Sequence, residues 1–211
     1  MRLLSTPIGI AIGALVSFCS NATTIKVLDE QGKPLQHAVV EVLGKPATTV
    51  TSNAIMDQVN KSFNPYVLTI TQGQAVSFPN SDDIRHHVYS FSQTKPFELK
   101  LYHGTPSQPV VFDKEGIVVL GCNIHDAMVG YIYIAQSAQV FTSDVNGLVE
   151  LPTLENDETL RYWHPEQEHG PEHEQRVAWH ALKQNLILKI KTQDPTPRNT
   201  FGEKFKGTHV H

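Results

Sequence analysis

The sequence predicts an all-β protein. Short runs rich in Val, Ile, Thr and Tyr recur along the chain, clusters of Gly, Pro, Asn and Asp separate them, and no stretch shows a sustained helical period. Many short strands at regular spacing imply sandwiches or barrels.

Taken in order, residues 24–28 alternate apolar and polar and end at a turn cluster containing Asp29, Gly32 and Pro34. Residues 38–43 form a second strand before Gly44. Further strands are expected over 66–71, 75–78, 87–91, 97–101, 110–112, 117–120 and 131–135. After these come 148–151, 159–163, 176–180 and 186–191. The stretch from Asp194 to the end, residues 194–211, is rich in Pro, Asn, Gly and Lys without periodicity and reads as a mobile tail.

The first residues have the form of an export signal. Met1 and Arg2 precede an apolar run over 7–18, and Ser20, Asn21 and Ala22 supply small residues for a peptidase, so residues 1–22 are expected to be removed. A span needs about 20 apolar residues, and no later segment approaches that, so no membrane span is expected in the mature chain. The implied compartment is the periplasm.

Loss of the signal changes the cysteine count. The chain has 2 Cys; Cys19 leaves, and Cys122 stays alone in an exported protein, where cysteines normally pair. A lone thiol is also compatible with an inert buried apolar group. The formal net charge of -4 offers no basic stripe for phosphates, which argues against nucleic acid.

Around Cys122 the chain places His125 and Met128 at successive three-residue steps, between strand-like segments. Thiolate, imidazole and a weaker thioether form the ligand set of a trigonal copper electron-transfer site, which needs one more histidine. His86 and His87 are the candidates, following the strand that ends near Pro79 and Asn80. Alternation puts His86 on the same face as Val88 and His87 on the other.

These residues carry a resemblance. Residues 54–135 resemble a cupredoxin, the small blue-copper β-sandwich, in which a strand-ending asparagine precedes the first copper histidine by six residues, as Asn80 precedes His86. The Cys122, His125, Met128 spacing is similar to that of amicyanin-type and plastocyanin-like members, of the kind labelled methylamine utilisation proteins. The resemblance implies a Greek-key sandwich, copper held by His86, Cys122, His125 and Met128, hydrogen bonds from Asn80 that tie the ligand loops together, and His125 as the electron port. Asp126 departs from the pattern, since amicyanin-type loops carry proline or an apolar residue there.

Residues 27–40 resemble the opening hairpin of carboxypeptidase-regulatory-like, transthyretin-type sandwiches, and residues 141–151 and 160–165 resemble its continuation. The copper domain is therefore expected to be inserted in, or flanked by, a second, smaller β-sandwich built from 23–53 and 136–193.

The function expected is a periplasmic electron carrier with one mononuclear type 1 copper, unidentified redox partner proteins and no substrate turnover of its own. The alternative is a copper chaperone or sequestering protein; a copper enzyme and a copper-free binding module are further classes. His164, His169, His173 and His180, among glutamates, form a polar stretch that reads either as a solvated loop or as a weak second metal site. Trp163 is expected in the core.

Overall fold

A computed structural model of the chain describes residues 22–47 and 50–193. The expected signal segment and C-terminal tail lie outside the described residues, apart from Ala22.

The all-β class holds. In chain order the strands are β1 (Thr23–Leu28), β2 (Val39–Val42), β3 (Ala54–Ile55), β4 (Asp57–Val59), β5 (Ser62–Asn64), β6 (Val67–Thr71), β7 (Ala75–Ser77) and β8 (His86–Ser90). They continue with β9 (Phe97–Tyr102), β10 (Val110–Val111), β11 (Gly116–Cys122), β12 (Val129–Ala135), β13 (Val140–Thr142), β14 (Leu148–Leu151), β15 (Thr159–Trp163), β16 (Gln175–Ala178) and β17 (Ile187–Lys189). A four-residue helix, α1 (Trp179–Leu182), interrupts the segment expected as a strand over 176–180. Its turn places Trp179 and Leu182 together in the core, which an extended chain would send to opposite faces.

Two sheets enclose the core of the middle segment. The order β6-β12-β11-β8-β9 faces the order β10-β7-β3. Between them lie Phe78, Val88, Phe112, Leu120, Cys122, Met128 and Ile132, all buried. The parallel pairs β6 with β12 and β3 with β7 require crossovers between the sheets rather than hairpins.

A two-stranded hairpin pairs β4 with β5, and two further sheets join strands from both ends of the described chain. One has the order β14-β1-β17 and the other β13-β2-β15-β16. Ile25, Val27, Val40, Val149, Leu160 and Leu188 fill the core between them. The outgoing and returning connections run side by side, with Pro46 opposite Ser137 and the Ala138 amide donating to the Lys45 carbonyl at 3.0 Å.

A third apolar cluster joins the two halves. On β12, Ile132 and Ile134 point into the first core, while Tyr131, Tyr133 and Ala135 pack with Val39 and Trp163. A strand covered on both faces reads as a continuous apolar run, and that is why β12 is buried along its whole length. Trp163, expected in the core, is there; its indole N–H donates to the Pro171 carbonyl at 2.6 Å.

Candidate metal centre

The site forms where β8 and β11 meet. Val88 pairs with Cys122 and Tyr89 with Gly121, so the start of β8 lies beside the end of β11. Glycine at 121 is required by a close approach: a Cβ there would stand 2.7 Å from the Tyr89 ring. Beyond Cys122 the chain turns tightly and returns as β12. The Met128 amide donates to the His125 carbonyl at 2.8 Å, and the Cys122 amide to the Met128 carbonyl at 3.2 Å. These bonds close the loop on itself and hold its residues over the end of the first core.

Three donor atoms converge there. Cys122 Sγ is 3.7 Å from His86 Nδ1 and 3.8 Å from His125 Nδ1, and all three ligand atoms lie within 4.8 Å of one another. Trigonal binding with metal–sulfur and metal–nitrogen bonds of about 2.3 and 2.0 Å sets sulfur and nitrogen about 3.7 Å apart. The spacing therefore fits a first-row metal ion between these side chains. Soft thiolate with two imidazoles is a donor set for copper, zinc or iron rather than for calcium or magnesium. Among the described residues, no other group of three or more His, Cys, Asp or Glu ligand atoms comes together in this way.

Burial grades across the site. His86 and Cys122 are buried and His125 is half-buried. Cys122 is the free cysteine of the described chain. Met128 lies in the core on the same loop, 1% exposed. Burial lowers the pKa of the His125 imidazole, reinforced by the neighbouring His86 and Lys61 and opposed by Asp82. The neutral ring, the form that binds metal, is favoured.

Asn80 and His87 have separate places. The Asn80 side-chain amide donates to the carbonyls of Ile84 (2.8 Å) and Tyr102 (3.1 Å), and its oxygen accepts from the Asp82 amide (3.0 Å). Among the described residues none of its hydrogen bonds reaches the 122–128 loop; it shapes the approach to His86 instead. A bulge between His86 and Val88 lets the two adjacent histidines diverge. His87 Nε2 meets Glu98 Oε1 at 2.9 Å, and its ring lies near Tyr89.

Asp82 is the residue that the sequence reading missed. Its Oδ2 lies 2.7 Å from His86 Nε2, on the ring nitrogen remote from Cys122. The only sequence signal is a carboxylate four residues before the histidine, which in a loop carries no orientation. Burial pushes the Asp82 carboxyl up, but the amides of Lys61 and Asn60 and the His86 ring outweigh it, so the group sits below the usual carboxylate range.

The histidines from His164 to His180 do not converge. His164 is buried, its Nε2 3.0 Å from the Gln36 carbonyl and its Nδ1 accepting from the Glu166 amide at 3.1 Å. Both ring nitrogens are used, so it is neither a solvated loop residue nor a ligand in this arrangement. His169 and His173 are exposed and meet edge to face, ring centroids 5.1 Å apart.

No protein-family model matches the chain, and a search of curated proteins finds no match. Similar solved structures include a Cu-containing nitrite reductase from Thermus scotoductus SA-01, 26% identical over 44% of this chain with a TM-score of 0.37. That match spans 26% of the reductase chain. A novel purple cupredoxin from Nitrosopumilus maritimus is 22% identical over 39% of this chain and 100% of its own, TM-score 0.35. A proline-to-alanine variant of amicyanin in its oxidized state is 15% identical over 46% of this chain and 98% of its own, TM-score 0.35.

Proposed function

We propose that residues 54–135 are a cupredoxin domain holding one type 1 copper, and that the chain is an exported electron carrier. The observation that supports this reading most is the convergence of Cys122 Sγ with His86 Nδ1 and His125 Nδ1 at trigonal spacing. Met128, buried on the same loop, would supply a weaker thioether donor to the bound copper.

Bound copper supplies a one-electron couple between Cu(II) and Cu(I). The remaining work falls to this chain. Cys122 contributes a thiolate and, through β11, a main-chain path away from the site. His86 is fixed on two sides, by the site and by Asp82. The closed 122–128 loop resists rearrangement between oxidation states, and the buried donors keep water off the thiolate. His125, the most exposed of the donors, is the side chain through which an electron from a donor protein enters and leaves for an acceptor; no proton moves.

In this reading residues 1–22 are a signal peptide and the location is the periplasm. Residues 23–53 with 136–193 are a split carboxypeptidase-regulatory-like sandwich that presents the copper face, and the carrier turns over no substrate of its own. Copper delivery is the competing role. Titration of the chain beginning at Thr23 with Cu(II) separates them. The carrier takes up one ion, accepts and returns one electron reversibly, and keeps Cu(I) against a weak chelator. A chain that surrenders Cu(I) readily is a delivery protein.

A further inference from the structure

The Asp82 carboxylate has three donors, and they come from two places. Oδ2 faces His86 Nε2 at 2.7 Å and accepts from the Lys61 amide at 2.9 Å; Oδ1 accepts from the Asn60 amide at 2.6 Å. Asn60 and Lys61 form the turn between β4 and β5, and both have left-handed backbone, φ 54° and 58°. Successive residues in that conformation make the tight turn whose twist suits a two-residue hairpin, and here both N–H groups meet one carboxylate.

The hairpin is anchored on either side of this turn. Phe63 on β5 is buried against Gly130, whose missing Cβ would stand 2.7 Å from the Phe63 Cβ. Gln58 on β4 is buried, donating to the Pro79 carbonyl at 2.9 Å and to the Tyr102 hydroxyl. The turn amides are thus fixed relative to both loops of the site. A carboxylate on the remote nitrogen of a ligand imidazole fixes the ring and raises its donor strength. Its negative charge favours the more highly charged state of a bound ion.

We infer that Asp82 is a positioning residue that lowers the reduction potential of the site through His86, and that the β4–β5 turn is the latch that aims it. This rests on the copper reading above. Asp82→Asn keeps the volume and one acceptor oxygen but removes the charge and sets an NH2 group against an amide donor.

The test is cyclic voltammetry of the copper-loaded wild type, Asp82→Asn and Asp82→Glu, with amide hydrogen exchange on the same proteins free of metal. In Asp82→Asn the preference for Cu(II) over Cu(I) falls about tenfold, a rise of about 59 mV for one electron. The Asn60 and Lys61 amides exchange about tenfold faster. Asp82→Glu, which restores the charge, brings the potential back toward wild type. An unchanged potential in Asp82→Asn overturns the inference even if exchange is faster, because Asp82 is then only a turn cap. If the wild type takes up no copper, the carrier reading fails separately. Ring ¹⁵N shifts of His86 in metal-free protein then decide the latch. A proton held on Nε2 in wild type and a tautomer mixture in Asp82→Ala support it, and the same tautomer in both overturns it.

Discussion

The Tyr133 phenol donates to Glu41 Oε2 at 2.8 Å, across the seam between the two sandwiches, and both side chains are fully buried. Tyr133 lies on β12, the strand that continues directly from Met128, whereas Glu41 lies on β2 of the other half. Arg161, opposite Glu41 on β15, donates to the same oxygen through Nε at 2.9 Å and Nη2 at 2.5 Å. The Ser137 amide reaches the other oxygen at 2.7 Å. Glu115 and Glu174 complete the surroundings of the guanidinium. Burial and the Glu41 charge push the Tyr133 phenol far above its ordinary range, so it remains a donor.

Removing one partner of a buried pair leaves an uncompensated charge. Arg161→Ala is therefore expected to cost about 3–5 kcal/mol in urea unfolding, with Tyr133→Phe costing about 1.5–3 kcal/mol. The double change Glu41→Gln, Arg161→Met is expected to recover much of the Arg161→Ala loss. A cost below about 1 kcal/mol for Arg161→Ala contradicts the role given to this network.

Gly130 lies on β12, two residues beyond Met128, and is not itself a proposed ligand. Its missing Cβ would meet Phe63 side-chain atoms at 2.7 to 3.1 Å. Gly130→Ala should force the hairpin away at a cost of about 1–3 kcal/mol. Phe63→Leu keeps the Cβ and Cγ that stand nearest, so combining it with Gly130→Ala should recover little of the loss. Thermal unfolding of the metal-free chain reads both; a neutral Gly130→Ala means that the hairpin packs elsewhere.

Acid sensitivity follows from His164. Burial lowers its pKa, with the Gln36 carbonyl and the Glu166 charge opposing, and a second proton would also have to displace the Glu166 amide from Nδ1. The folded pKa lies below the unfolded one, so the unfolded chain binds more protons in the window between them. Stability is full above about pH 6.5 and falls as pH drops below it, with a slope of at most about 1.4 kcal/mol per pH unit from this group. His37, also lowered by burial, acts in the same direction. Unfolding midpoints measured from pH 7.5 to 5.5 should decline less steeply in His164→Gln. Parallel curves would remove His164 from the account.

The parts legible in the sequence were those that depend on short spacing. Cys122, His125 and Met128 lie on one tight turn, which their three-residue steps give directly, whereas His86 and His87 diverge at a bulge that alternation alone does not show. The parts that were not legible depend on long-range cover. Arg161 and Glu41 gain their meaning only when β12 is packed over them, since Glu41 meets Tyr133 from 92 positions away. His164 looked solvated because the Gln36 carbonyl that uses its ring is 128 positions away. The β4–β5 hairpin escaped notice because its turn is Asn60 and Lys61, two left-handed residues with no glycine to mark them. Asp82 was hidden for the same reason, since its meaning comes from that turn. The connection expected from Asn80 to the second loop runs instead to Ile84, Asp82 and Tyr102, where the chain geometry offers nearer carbonyls and amides.

The central claim is that Cys122 and the two histidines bind copper as a thiolate site. Visible and electron paramagnetic resonance spectra of the Cu(II)-treated chain beginning at Thr23, recorded beside Cys122→Ser, test it most directly. The account predicts an intense visible thiolate-to-copper absorption at one copper per chain in the wild type and its loss in Cys122→Ser. A colourless wild type, or a colour that survives Cys122→Ser, contradicts it.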